Sequence, residues 1–431
     1  MSAQQRNFEG TLQADNLSGE VAITVGKDAL LFVGSLGQLT CFYSDIQAFS
    51  IENYVLVIDS TLGQLRVFKM GDALDWLFDS LWCAYNDAVQ RALFVDGSAL
   101  YESNGAYCYE DAGGRSEGLA TIRLFDNCIC ILPPHEAARR IPFCFVEDIK
   151  EENYSLRLTL DTGEWYMFQK LGGYKEGFVY QLTLAMQAQQ KKTQEALQEI
   201  CAGLGSVELT AIARLMREGV SAPVDTLHAL SPAFVEAIDK QISQSRAAAP
   251  YAFFKTICNP QDICVGIKKS EKESALPAEN DQTPQKPDEL PATTRQPSEL
   301  PSGLDEQGAS EESSPYVIFI AASKTGSAPD RVAAVELAIP EQSSAATFIY
   351  RYQGEWAVFG RKLNRAMEAV SFRREVIWLD EDALNKPEHA HYRMAIARTE
   401  ALRFLRSCFA GRVIHSSPEA WQRDILHKFG R

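Results

Sequence analysis

The chain has 431 residues, 46% of them hydrophobic and 23% charged, and a formal net charge of −15 at pH 7. This composition is typical of a globular protein, and the length exceeds what one hydrophobic core supports, so we expect two to four domains. Residues 1–268 contain 21 Lys and Arg against 33 Asp and Glu, which disfavours nucleic acid and anionic lipid as partners of this part of the chain.

Membrane insertion and export are not expected from the sequence. No apolar run reaches the roughly 18 residues that a membrane-spanning helix needs. The polar start, MSAQQRNFEG, lacks the apolar core of a signal peptide. The ten cysteines lie in apolar stretches such as NCICIL and PFCFVE and form no CxxC motif, which favours reduced, buried thiols over disulfides or a zinc site. We therefore expect a cytoplasmic protein.

One stretch is repeated: SIENYVLVIDSTLGQLRVFK at 50–69 returns as KEENYSLRLTLDTGEWYMFQ at 150–169. Each copy predicts alternating strands, a hairpin turn at Gly63 or Gly163, and then an amphipathic helix. For the repeated Glu-Asn-Tyr we favour a structural role over a repeated ligand contact. In that role Asn takes a left-handed conformation, and Tyr54 or Tyr154 begins the buried face of the next strand.

Helix-capped, strongly bent antiparallel sheets of this size resemble the pleckstrin-homology-like (PH-like) fold, here in tandem at residues 1–95 and 96–202. The stretches RALFVDGSALYESNGAYCYED and NCICILPPHEAARRIPFCFV resemble segments of uncharacterised bacterial proteins with paired domains of this type. GRKLNRAMEAVSFRREVIWL and GRVIHSSPEAW extend the resemblance towards the C-terminus. The resemblance implies an architecture and a bacterial cytoplasmic setting, but no activity.

Phosphoinositide binding, which some PH-like domains perform, is not expected. It requires basic residues in the loop between the first two strands. Between Arg6 and Lys27 the first copy has three acidic residues and no basic one, and the second copy offers only Arg115 and, farther along, Arg123.

The middle of the chain is predicted to be a helical connector at residues 203–250, with helix starts at Ser206 and at Ser231. Residues 251–268 are predicted to form a hairpin around Asn259-Pro260 that joins the C-terminal sheet. Residues 269–314 contain six prolines, eleven acidic residues and no aromatic residue, which predicts a disordered acidic linker.

Residues 315–431 are predicted to form an α+β domain. We expect strands at YVIFIAAS, RVAAVELAI, AATFIYRY and REVIWL. Helices are expected from about Trp356 to Val370, near 388–409, and after Ser417.

Motifs in this domain do not predict an enzyme. The stretch around Lys324 lacks the glycines of a phosphate-binding loop. The pair His389 and His391 has no third metal ligand placed by sequence. His415 lies beside two serines, but no oriented acid is evident, and Ser417 is better explained as a helix cap. We therefore predict no catalytic residue, no cofactor and no metal.

Arginine is the remaining candidate, because 13 of the 17 basic residues of 315–431 are Arg, a residue suited to planar recognition of phosphate or carboxylate. The alternatives are an anionic partner, a solvated face, and docking in cis on the acidic linker or the acidic front half. The candidate contacts are Arg361, Lys362, Arg365, Arg373, Arg374, Arg403 and Arg406.

The sequence thus predicts a non-catalytic protein-interaction or scaffold protein, which binds an unidentified protein partner through open sheet edges and loops of its PH-like domains. The first alternative is anion or nucleic-acid binding through the Arg-rich C-terminal domain. The second is an enzyme with an unrecognised site in that domain.

Overall fold

The two sequence copies fold into two seven-stranded antiparallel sheets with the same strand order. The computed structural model describes residues 6–269, 315–324, 331–338, 346–370 and 375–430. The first sheet consists of β1 (Arg6–Gln13), β2 (Ser18–Val25), β3 (Ala29–Gly34), β4 (Gly37–Phe42), β5 (Ile46–Glu52), β6 (Val55–Ser60) and β7 (Gly63–Phe68). The second consists of β8 (Tyr101–Asp111), β9 (Gly114–Leu124), β10 (Cys128–Leu132), β11 (Arg139–Pro142), β12 (Val146–Glu151), β13 (Ser155–Leu160) and β14 (Trp165–Gln169). Their orders are β4-β3-β2-β1-β7-β6-β5 and β11-β10-β9-β8-β14-β13-β12.

Each sheet is followed by one long helix, α1 (Ala73–Ala92) or α2 (Lys175–Ile200). Leu74, Leu77 and Leu81 are buried against the first sheet, and their spacing of three and four residues puts them on one helical face. The repeated glycines have φ of 103° at Gly63 and 85° at Gly163, so both hairpin turns use the left-handed conformation that glycine permits. The prediction of alternating strands, Gly turns and a helix is confirmed.

The prediction for the repeated tyrosines is wrong. Tyr54 and Tyr154 are 90% and 88% exposed, and the buried face of each strand begins two residues later, at Leu56 and Leu156. In the first copy both Asn53 and Tyr54 have positive φ, which is the pattern of a two-residue hairpin turn that points the side chains outwards.

The predicted hairpin at 251–268 is also wrong. These residues contain the end of α6 (Ala248–Ile257) and a single strand, β16 (Ile263–Lys269). Tyr251 and Phe254 are buried three residues apart, so the apolar run YAFF has a helical and not a strand period. Ahead of α6 lie α3 (Ser206–Leu215), a two-residue β15 (Ala222–Pro223), α4 (Val224–Leu230) and α5 (Pro232–Ser243).

β16 joins the C-terminal strands in a third, six-stranded sheet of order β15-β16-β17-β18-β19-β20. The other strands are β17 (Pro315–Lys324), β18 (Arg331–Ala338), β19 (Ala346–Tyr352) and β20 (Phe409–Ile414). β16 pairs with β17 along its length, from Ile263 opposite Ala322 to Lys269 opposite Pro315. The third sheet is thereby built from both sides of the acidic tract.

The C-terminal helices differ from the sequence prediction in two places. They are α7 (Trp356–Val370), α8 (Glu375–Trp378), α9 (Glu381–Leu384), α10 (Ala390–Arg398), α11 (Glu400–Cys408) and α12 (Pro418–Lys428). REVIWL, predicted as a strand, contributes the short α8, and the sheet is completed by β20 instead. The helix predicted near 388–409 is broken at Thr399, whose φ of −119° and ψ of 100° are extended.

The predicted linker lies outside the described residues, apart from Lys269 at the end of β16. The same is true of Arg373 and Arg374. Among the helices that are described, none has the length and apolar character needed to cross a membrane.

Candidate functional site

The apolar face of helix α7 is buried in the core of the third sheet, and its polar side contacts the second sheet through ion pairs. Arg365 forms an ion pair with Glu164, in the turn between β13 and β14, and its guanidinium lies 4.8 Å from the ring centre of Phe145. The side chain of Arg365 is 14% exposed. This arginine therefore binds a carboxylate in cis.

A second ion pair anchors the same helix. Glu368 of α7 accepts two hydrogen bonds from Arg140 of β11, one of them 2.6 Å long from Nη2 to Oε1. The side chains of Arg140 and Glu368 are 8% and 4% exposed. Burial disfavours the charge of Arg140, but the adjacent Glu368 carboxylate holds the pKa of this guanidinium well above its ordinary value. Both members of this ion pair are buried.

Neutral contacts complete the docking of α7. The side-chain oxygen of Asn364 accepts from the amide and the hydroxyl of Ser221, at 2.9 and 2.8 Å, and its NH2 group donates to the Ser221 carbonyl at 3.1 Å. All the polar groups of Ser221 thus find partners on one side chain of α7.

Two further arginines predicted from the sequence donate hydrogen bonds to backbone carbonyls at the C-terminal ends of helices. Arg406 donates to the carbonyls of Val376 and Leu379, at 2.7 and 2.9 Å, and Arg403 donates to that of Ile396 at 3.2 Å. These carbonyls lie in or just beyond the last turns of α8 and α10, where no helical donor follows. Burial lowers the pKa of Arg406, and Glu381 opposes this shift. Both arginines have a structural role in the C-terminal domain.

The remaining described candidates, Arg361 and Lys362, differ in their surroundings. Lys362 pairs with Glu400 at 3.2 Å, and its ammonium group lies 4.3 Å from the ring centre of Phe404. Arg361 is exposed. Lys362 and Arg365 line a common cavity.

That cavity has a volume of about 470 Å³ and lies between the second sheet and the C-terminal helices. Its walls are residues 110–112, β11, the turn between β13 and β14, α7, and the junction of α10 with α11. We call it the α7 cleft. It contains five acidic and five basic side chains, of which eight form four ion pairs: Arg139–Asp111, Arg140–Glu368, Arg365–Glu164 and Lys362–Glu400.

Arg398 is the basic residue of the α7 cleft without a carboxylate partner in the described chain. It is 4% exposed, donates to the hydroxyl of Tyr85 at 2.6 Å, and lies near the carbonyl of Met394 at 3.3 Å. Burial raises the pKa of Tyr85, and the Arg398 charge works against that rise. Arg398 is not among the seven candidate contacts predicted from the sequence.

The histidines form structural contacts. His389 Nδ1 lies 2.8 Å from the carbonyl oxygen of Ala383, and its ring stacks on Tyr392. In the described ranges no three His, Cys, Asp or Glu side chains are grouped as a metal site would require.

His415 does have an acid beside it, which the sequence did not indicate. Its Nε2 lies 3.2 Å from Glu336 and 3.0 Å from the hydroxyl of Thr347, which also accepts from Trp421 at 2.9 Å. Thr347 is fully buried, so a substrate cannot reach this hydroxyl. Ser417 caps α12 by accepting from the Ala420 amide at 3.2 Å, as predicted.

The outer edges of the two repeated sheets differ. Along β5, the Phe49 amide donates to the Pro134 carbonyl at 3.0 Å, and the Glu136 amide donates to the Gln47 carbonyl at 2.9 Å. Ala48 forms a bridge with His135. The edge of β5 is thus paired with a segment of the second repeat.

The edge of β12 occupies the same place in the second sheet, and no strand of the described part of the chain pairs with it on its outer side. Its pairing with β13 has the same irregularity as that of β5 with β6, so residues 147–149 correspond to residues 47–49. No backbone group from another described segment reaches Glu147 or Ile149. Residues 147–151 are all exposed, and we call them the β12 edge.

No model of a protein family matches the chain, and no curated protein matches it significantly.

Proposed function

We propose that the chain is a non-catalytic protein-interaction protein, that its two seven-stranded units are PH-like domains, and that it binds its partner at the β12 edge. Support for the PH-like assignment comes from the repeated order of seven antiparallel strands, each set followed by one long helix. A sheet edge offers unpaired amides and carbonyls, to which an extended segment can add as a further strand.

The observation that carries the proposal is the contrast between two equivalent edges. The chain itself supplies an extended segment, residues 134–136, to the edge of β5, whereas the β12 edge has the same register and no such partner among the residues that the structure describes. Phe49 is 3% exposed and its counterpart Ile149 is 39% exposed. Arg217 donates to the Val146 carbonyl at 3.1 Å, so the free part of the edge begins at Glu147.

The side chains of the β12 edge favour a particular partner chemistry. Glu147, Asp148 and Glu151 are acidic and exposed; Asp148 pairs with Lys150 at 3.4 Å and Glu151 pairs with Lys175 at 3.1 Å, so the edge with both lysines keeps one excess negative charge. Charged side chains on an edge strand discourage pairing with like-charged or neutral strands. The same charges attract an extended segment with basic side chains. Tyr154, exposed just beyond the edge, offers a large apolar contact to the same segment.

The proposal is tested with two substitutions at one position. Ile149→Pro removes the backbone amide of Ile149, which corresponds to the Phe49 amide that donates to Pro134. Proline is tolerated at this kind of position, where the N–H of an edge strand faces solvent. Ile149→Ala loses the same side chain but keeps the amide. We expect proteins captured from a native lysate of the source organism to bind the wild type and the Ala variant and to be lost with the Pro variant.

Equal capture by the Pro and Ala variants would contradict the proposal, as would the absence of any protein that depends on this position. Circular dichroism of both variants is the control for folding.

The alternative of anion or nucleic-acid binding by the Arg-rich domain has less support. Arg365, Arg403 and Arg406 donate to groups of the same chain and would have to leave them to bind a phosphate backbone.

A further inference from the structure

The first repeat also ends in a strand, β4, whose outer side pairs with no other described strand. We propose that β4 (Gly37–Phe42) pairs with the β4 strand of a second copy of this chain, so that two first sheets join across a two-fold axis. This contact is independent of partner binding at the β12 edge, which belongs to the second repeat. Three features of β4 support it: its free backbone groups, the absence of charge around it, and the side chains that a two-fold axis brings together.

The outer side of β4 has backbone groups without a partner in the described chain. The Tyr43 amide, just beyond β4, donates to the Asp28 carbonyl at 3.0 Å and continues the hydrogen-bonded ladder between β3 and β4. Hydrogen-bonded and non-hydrogen-bonded pairs alternate along an antiparallel ladder, so Gln38, Thr40 and Phe42 direct their amides and carbonyls away from β3. No backbone group of another described segment reaches these three residues.

The described part of the chain covers the corresponding edge of the second sheet and leaves this one free. β11 has the same place in the second strand order as β4 has in the first, and its Arg140 is paired with Glu368 of α7 and 8% exposed. In the first repeat, Arg393 of the C-terminal domain contacts Ser44 at 3.2 Å and Asp45 at 3.5 Å. Both residues lie beyond the end of β4, so this contact marks the limit of the free edge.

The surroundings of β4 carry no charge. Residues 29–44, ALLFVGSLGQLTCFYS, include no acidic residue, no basic residue and no histidine, although 23% of the chain is charged. Val33 in β3 and Leu36 in the turn before β4 are 44% and 86% exposed. Natural edge strands often carry charges that prevent edge-to-edge pairing, and β4 lacks this protection.

A two-fold axis at Thr40 brings compatible side chains together. Thr40 then lies opposite Thr40 of the second copy, Gln38 lies opposite Phe42, and Leu39 lies opposite Cys41. Each Thr40 amide donates to the Thr40 carbonyl of the other copy, and Thr–Thr pairs are favourable in antiparallel sheets. The pairing therefore places no like charges opposite each other.

A second copy fits β4 better than a charged partner does. A segment with acidic or basic side chains would find no opposite charge along residues 29–44. The β12 edge is the opposite case, because a two-fold axis at Ile149 would place Glu147 opposite Glu151, and like charges opposite each other are destabilising. The two edges therefore take different occupants, an identical strand at β4 and a basic segment at the β12 edge.

The test measures the mass of the full chain by sedimentation and light scattering over a series of concentrations. We expect the mass to rise from that of one chain towards that of two. The net charge of −15 repels a second copy, and salt screens this repulsion, so the dimer fraction should increase with ionic strength. A monomeric mass at every concentration, or a dimer that dissociates as salt is added, would overturn the proposal.

Two variants of Thr40 test the position of the contact. Thr40→Pro removes an amide that faces away from β3, and proline is tolerated at such positions of an edge strand. Thr40→Ala shortens the same side chain and keeps the amide. We expect the Pro variant to dimerise roughly tenfold or more weakly than the Ala variant, because each dimer loses two hydrogen bonds at the axis. Equal dimerisation of the two variants would overturn the proposal.

A charge-reversal pair decides the question even if the Pro variant does not fold. Thr40→Lys and Thr40→Glu each place two like charges opposite each other across the axis, so each variant alone should be monomeric. A mixture of the two places opposite charges there and should form a heterodimer with the mass of two chains. Dimers in each variant alone, or a mixture that stays monomeric, would overturn the proposed axis.

Discussion

The buried pair Arg140–Glu368 provides the sharpest test of how α7 is held on the second sheet. Arg140→Met leaves the Glu368 carboxylate, 4% exposed, without its partner, and Glu368→Leu leaves a guanidinium that is 8% exposed. Removing one member of a buried pair destabilises a protein by about 3–5 kcal/mol, because the remaining charge stays desolvated. Each single variant should therefore lose a large part of the stability of the chain.

The double variant, Arg140→Met with Glu368→Leu, should recover most of that loss. Replacement of a whole buried ion pair by apolar side chains of similar volume is often neutral or stabilising. The three variants and the wild type form a double-mutant cycle, measured by urea unfolding followed by circular dichroism. The matched control is Arg115→Met, which removes an exposed partner of Glu117, 63% and 65% exposed, and should have no measurable effect.

Two results would refute the reasoning. One is a loss of less than about 1 kcal/mol in both single variants, which is the behaviour of a solvent-exposed pair. The other is a double variant that loses the sum of the two single losses, since independent effects add and interacting ones do not.

Three further predictions concern single positions. His415→Ala removes a hydrogen-bond partner of the fully buried Thr347 hydroxyl and should lower the free energy of unfolding by about 1–3 kcal/mol; an unchanged urea midpoint would contradict this. Burial raises the pKa of Asp161. This group therefore stabilises the fold most at low pH and loses that contribution as the pH rises from its unfolded pKa through its folded pKa. Asp161→Asn should make the melting temperature fall less steeply over this pH range. Gly266→Ala places a Cβ against the carbonyl oxygen of Gly219 and should destabilise the packing on β16 by about 1–3 kcal/mol, whereas a melting temperature equal to the wild type would refute the overlap.

The repeated units were predictable because local patterns determine them. Alternation such as Leu156, Leu158 and Leu160 places one strand face in the core, and the helix after each sheet shows the period of an amphipathic helix. The short apolar runs were harder. The apolar run YAFF is compatible with a strand and with a helix. The burial of Tyr251 and Phe254 in the same core shows that it is a helix.

The candidate sites could be predicted only in part. An arginine on the polar side of α7 is visible in the sequence, but its partner Glu164 lies 201 residues away and is set by the docking of two units. The same holds for Arg398, which contacts Tyr85 across 313 residues. Periodicity reports on one element at a time and carries no information on such distant pairs.

The central claim of this account is that the C-terminal segment is held on residues 6–269 of the same chain, through pairing of β16 with β17 in the third sheet and through the ion pairs of α7 with the second sheet. The most direct measurement inserts a specific protease site after residue 290, cleaves the purified chain, and analyses it by size-exclusion chromatography under native conditions. We predict that the two fragments elute together at the position of the intact chain. Fragments that separate without denaturant would contradict the claim.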